Sequence, residues 1–95
     1  MILSFSDKET EKVFNQKFSI KLPVDIQKTA LKKLMYVDNA KSLNDLRKPA
    51  SNHLEKLSGK LAGKWSIRIN NQWRVCFIPV NSGADYIDVE IVDYH

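Results

Sequence analysis

Between residues 64 and 79 the chain reads as two strands joined by a tight loop, and this hairpin constrains the fold more than any other stretch of the sequence. Lys64-Trp65-Ser66-Ile67-Arg68-Ile69 alternates polar and apolar residues with period two, the pattern of a half-buried strand. Asn70-Asn71 follows, a pair suited to a tight turn because asparagine tolerates positive φ, and residues 72–79 return as the second strand. The two are expected to pair antiparallel. Residues 54–57 read as a further short strand. Residues 86–94 read as the last one, entered through the loop Asn81-Ser82-Gly83. Strict alternation there sets Ile87, Val89 and Ile91 on one face and Asp88, Glu90 and Val92 on the other.

Before residue 50 the pattern is helical. Ile2, Leu3 and Phe5 form a short apolar opening run, and Ser6-Asp7 caps a first helix with Asp7, Glu9 and Glu11 near its positive end, running to about Asn15. Pro23 suits the first turn of a second helix, in which Ile26, Ala30, Leu34 and Val37 recur at helical spacing. Lys28, Lys32 and Lys33 read as its solvated face. Residues 42–46 suggest a brief extra turn closed by Lys48-Pro49. This order predicts an α+β fold, a small antiparallel sheet with two N-terminal helices packed against one face. Ninety-five residues suit one domain spanning 1–95, with one core and a shallow surface site in place of a deep cleft.

The opening MILSFSDKETEK turns polar after five residues, so no secretion signal is read there. No apolar run reaches the ~18 residues of a membrane span, and a cytoplasmic protein is expected. Cys76 stands alone between Val75 and Phe77 and reads as an interior strand residue, not a nucleophile. His53 has only Glu55 near it at ligand spacing and reads as a surface or hydrogen-bonding histidine, so no metal or cofactor is expected.

Charge is unevenly placed. Residues 51–80 hold Lys56, Lys60, Lys64, Arg68 and Arg74 against Glu55 alone, whereas residues 81–95 hold Asp85, Asp88, Glu90 and Asp93 and no Lys or Arg. Some of these charges pair across neighbouring strands, at about 0–1 kcal/mol each. The functional reading gives Lys56, Lys60, Lys64 and Arg68 to RNA phosphates. Trp65 and Trp73 are expected in the core, while Tyr94 is open to stacking on an unpaired base.

Three blocks in order, Lys64-Trp65-Ser66-Ile67-Arg68-Ile69-Asn70, Gln72-Trp73-Arg74-Val75-Cys76-Phe77 and Val89-Glu90-Ile91-Val92-Asp93-Tyr94-His95, resemble the HigB toxins of the RelE/ParE superfamily. The resemblance implies the toxin of a type II toxin-antitoxin pair, a ribosome-dependent endoribonuclease that cuts messenger RNA in the decoding site. It also implies a helix-turn-helix antitoxin of the HigA kind, through which the complex binds operator DNA. By matching position it assigns cleavage to Arg74, Asp93, Tyr94 and His95. The chain departs from the family at Ser58, where many members have Lys, and at Glu55, where some have His.

Metal-free cleavage by the neighbouring 2′-OH needs a base, cations on the phosphorane and an acid for the leaving 5′-oxygen. Arg74 suits the second task because its planar fork binds two phosphate oxygens and stays protonated. His95 is the default acid or base, with Asp93 orienting it or sharing the role. Tyr94 needs cations nearby to act as a base, whereas stacking asks less of it. Adjacent strand residues face opposite ways, so Asp93, Tyr94 and His95 cannot all project alike from a regular strand. A non-catalytic nucleic-acid-binding protein and a protein-interaction module are the competing readings.

Overall fold

The computed structural model describes residues 1–94, so His95 lies outside the described residues. Helix α1 (Lys8–Phe14) starts at the N-cap Asp7, whose carboxylate accepts the Thr10 amide at 2.6 Å, with Glu9 and Glu11 in its first turn. Helix α2 (Val24–Asn39) begins one residue after Pro23, which stands as its N-cap and not within the first turn. Strands β1 (Glu55–Lys56), β2 (Trp65–Arg68), β3 (Trp73–Val80) and β4 (Asp85–Asp93) form one sheet in sequence order, every neighbouring pair antiparallel. The expected α+β class and hairpin order are therefore present. The opening run adds to the free edge of β4 in the parallel sense, with Leu3 N–H donating to Tyr86 O at 2.8 Å and Ser6 N–H to Val89 O at 3.0 Å.

The core lies between the inner face of the sheet and the helices. Ile67, Val75, Phe77, Tyr86, Val89 and Ile91 pack against Ile26, Ala30, Leu34 and Val37 of α2, with Val13 of α1 and Leu46 closing the cluster. Burial of each Val, Ile, Leu or Phe side chain among them contributes about 1.5–3 kcal/mol. Trp65 and Trp73 pack half-buried at its margin, as expected of bulky strand residues. Among the described residues no helix is long and apolar enough to cross a membrane.

Three local expectations are corrected. The first concerns the turn between β2 and β3, which does not use positive φ at Asn70 or Asn71. The Asn70 side-chain oxygen instead accepts the amides of Gln72 and Trp73, each at 2.8 Å, so the side chain mimics a backbone turn. Positive φ appears in the next loop, at Asn81, Ser82 and Gly83. A Cβ at Gly83 would stand 2.9 Å from the Leu43 amide nitrogen.

The second concerns β4. Asp88 takes φ 53°, its amide bonds the Ser4 hydroxyl at 2.9 Å, and the register with β3 slips between Cys76 and Ile78. This bulge reverses the alternation upstream of it, so Tyr86, not Ile87, shares the inner face with Val89 and Ile91. Tyr86 is fully buried, meets Phe77 edge-on with centroids 5.2 Å apart, and burial pushes its phenol pKa up to about 12.

The third concerns Lys33, which is 5% exposed and not on a solvated face, unlike Lys28 and Lys32. Seven residues after Ile26, it falls on the same stripe as Ala30 and Val37. Its ammonium donates to the Asn52 side-chain oxygen at 2.6 Å, and Asn52 donates on to the carbonyls of Leu46 at 3.2 Å and Lys48 at 3.3 Å. Burial draws the Lys33 pKa below the ordinary lysine value.

Candidate active site

The face of the sheet turned away from the helices is polar, and alternation decides what it carries. Val75 and Phe77 point into the core, so Arg74 and Cys76 point outward. By register Ser66 and Arg68 of β2 and Glu90 and Val92 of β4 join them.

Arg74 is fixed from several directions. Its Nε donates to the Ser66 hydroxyl at 2.7 Å and its Nη2 to the backbone carbonyl of His53 at 2.6 Å. The Glu55 carboxylate stands 3.8 Å from Nη2, and the Tyr94 ring lies with its centroid 5.3 Å from the guanidinium carbon, a cation–π contact. The His53 carbonyl reaches this point because His53 adopts a left-handed conformation, φ 44° and ψ 55°, directly after the 3-10 turn Ala50–Asn52. Only 11% of the Arg74 side chain is exposed, so its donors are pre-positioned at the surface of a cleft.

Arg68 is the direct cross-strand partner of Arg74 and bonds the Asn71 carboxamide. Like charges set opposite each other destabilise a sheet unless an anion or a dipole offsets them. With His53, Asn70, Asn71 and Tyr94, the two arginines line a cleft of about 430 Å³. Its cations and amide donors suit it to hold a phosphate, and its aromatic wall suits a base.

The other sequence-predicted residues separate. Lys56 pairs with Trp65, which directs it towards the opposite face of the sheet, and Lys60 is exposed on the 3-10 turn Gly59–Leu61. Lys64 borders a second, smaller pocket with Cys76 and Glu90. Of the four cations assigned to phosphates, Arg68 alone lines the cleft with Arg74. Tyr94 lines it as well, 40% exposed. Asp93 pairs with Trp73 and accepts the Gln72 side-chain amide at 3.0 Å, one residue out of phase with Val92 and Tyr94. His95 lies outside the described residues.

Sequence reading passed over Ser66, Asn71 and the His53 carbonyl as parts of the site. The period-two pattern that aligned Arg68 also aligned Ser66 and so carried that signal, whereas a carbonyl presented by left-handed backbone leaves none. Cys76 is buried as expected, but on the outer face, and burial above all, then the charge of Glu90, pushes its thiol pKa up to about 11. Among the described residues no group of three His, Cys, Asp or Glu side chains stands close enough to hold a metal ion.

Comparison with known proteins agrees with this architecture. The family described as "RelE-like toxin of type II toxin-antitoxin system HigB" matches residues 3–95. Toxin HigB-1 of Vibrio cholerae serotype O1 is 38% identical over 91 residues, covering 93% of this chain and 96% of that protein. Endoribonuclease HigB of Proteus vulgaris is 28% identical over 95 residues, with both chains covered in full. Among solved structures, a chain of the heterotetrameric YoeB-YefM toxin-antitoxin complex from Staphylococcus aureus superposes with a TM-score of 0.61 at 23% identity, over 100% of this chain and 95% of that one, a likeness of fold. The sheet order, the outward-facing Arg74 cleft and the match over residues 3–95 converge on one assignment: the chain belongs to the RelE-like HigB toxins of type II toxin-antitoxin systems.

Proposed function

We propose that this chain, acting as one toxin domain over residues 1–95, is an endoribonuclease that cuts messenger RNA on the ribosome and so halts translation and growth. The observation that carries the reading is the facing pair Arg68 and Arg74, held on an open sheet face beside Tyr94. A phosphate between the two guanidiniums offsets their mutual repulsion, and Arg74 is already oriented by Ser66 and His53 to receive it. The name of the Proteus vulgaris relative, an endoribonuclease, supports the same reaction class.

In this mechanism a base removes the 2′-OH proton, the 2′-oxygen attacks the adjacent phosphorus, and the bond to the 5′-oxygen breaks as an acid protonates it. The products are a 2′,3′-cyclic phosphate and a free 5′-hydroxyl, and no metal takes part. Arg74 and Arg68 stabilise the charge that builds on the phosphorane, and His95 exchanges the protons with Asp93 as its orienting group. Tyr94 stacks on the scissile nucleotide from its place against Arg74. Lys56 and Lys60, spread over other parts of the surface, contact more distant ribosomal or messenger phosphates, and Lys64 meets the RNA at the pocket beside the cleft. The site of action is the cytoplasm. The partner is a helix-turn-helix antitoxin of the HigA kind, which carries the complex to operator DNA, and the toxin-antitoxin origin of the structural neighbour supports such a partner.

Induction in bacterial cells tests this. The wild-type chain is expected to arrest growth and fragment messages within coding regions, and deletion of His95 is expected to abolish both. Growth arrest with intact messages would favour the non-catalytic binding readings.

A further inference from the structure

A second cavity opens on the outer face beside the Arg74 cleft, and Tyr94 lines both. It encloses about 210 Å³, and Leu61, Val92 and the Cys76 thiol supply apolar wall. Lys64 supplies positive charge, and Glu90 and Asp93 supply negative charge. Glu90 is the cross-strand neighbour of Cys76 on β4, and Lys64 precedes β2, whose Ser66 is the neighbour of Cys76 on the other side. The ammonium and the carboxylate therefore flank the thiol from the two bordering strands, and no ion pair within 4.0 Å joins them among the described residues. A slot with apolar walls, an aromatic ring at one end, a donor on one side and an acceptor on the other fits a flat heteroaromatic ring.

We propose that this pocket is a nucleobase subsite that prefers guanine, with the base against Tyr94, Glu90 on its N1–H and N2–H donors and Lys64 on its O6. Guanine alone among the RNA bases presents two adjacent in-plane donors, which match the two oxygens of a carboxylate. Lysine donation to guanine acceptors is a frequent specific contact. One face of the Tyr94 ring is taken by Arg74, which leaves the other for the base. The inference rests on the RNA-cleaving reading above and names which nucleotide that site selects.

The test uses non-cleavable 2′-O-methyl RNA trinucleotides that differ only in the central base, followed by backbone amide NMR of the full chain. Central guanine is expected to shift the signals of Cys76, Glu90 and Val92 and to bind roughly 10- to 100-fold more tightly than adenine, cytosine or uracil, the size of a bidentate base contact. Glu90→Gln is expected to erase that advantage while the Arg68 and Arg74 signals still shift, and Lys64→Gln to reduce it. Thermal unfolding checks that each variant is folded. Shifts confined to the Arg74 cleft, or equal affinity for all four bases, would overturn the guanine subsite and leave the nuclease reading standing. Shifts in neither place would overturn both.

Discussion

Arg74→Ala is expected to slow message cleavage on programmed ribosomes by about 100- to 1,000-fold, the usual loss when a positioned transition-state donor is removed. The loss should appear in the single-turnover rate far more than in ribosome affinity, because the arginine is held by Ser66 and His53 before substrate arrives. Arg74→Lys should recover little of it. One ammonium cannot bond the Ser66 hydroxyl and the His53 carbonyl from two separated nitrogens and still present a fork to phosphate. A cleavage rate within threefold of wild type in either folded variant would remove Arg74 from the chemistry.

Asn52→Ala is expected to destabilise the fold by about 1–3 kcal/mol at neutral pH, because it leaves the Lys33 ammonium buried without its acceptor. It should also loosen the turn that presents the His53 carbonyl to Arg74, so activity should fall in those molecules that remain folded. The pH dependence has a definite sign. In the fold the Lys33 pKa is drawn below its ordinary value by burial, so between the folded and unfolded values the unfolded chain binds more protons. The contribution of this group to stability therefore rises as pH climbs through that interval. The Asn52→Ala penalty should shrink over the same range as the stranded amine loses its charge. Denaturant unfolding at pH 7.5 and pH 10, with Lys33→Met as the control lacking the titration, measures both effects. A penalty equal at the two pH values would show that the Lys33–Asn52 contact does not govern this region.

The element order was legible because each element has its own period, two in residues 64–69 and near 3.6 in α2. What escaped were the places where long-range geometry overrides a local pattern. Lys33 was read by residue type, although its spacing from Ile26 and Ala30 already set it inward. The bulge at Asp88 depends on the opening run docking along β4, where Ser4 bonds the Asp88 amide. No alternation rule within residues 86–94 contains that partner. The Asn70 side chain replaced the positive φ expected of the hairpin because its oxygen reaches two amides at once.

The candidate site divides in the same way. Arg74 and Arg68 were identifiable as cations on strands, and their facing arrangement follows once the hairpin register is known. Lys56 and Lys60 were grouped with them by proximity in sequence, but a two-residue β1 and the turn after it carry them elsewhere. At the end of β4 Asp93 accepts the Gln72 side-chain amide whereas Tyr94 lies against Arg74, so the two have different partners.

The central claim is that RNA is cut by attack of its own 2′-oxygen at a phosphate held by Arg74. The direct measurement presents the purified protein with programmed ribosomes carrying a message whose nucleotide 5′ to the mapped cut bears 2′-hydrogen in place of 2′-hydroxyl. Cleavage at that position is expected to cease, while the unmodified message yields a 2′,3′-cyclic phosphate end. Undiminished cleavage of the deoxy-substituted message would contradict the account.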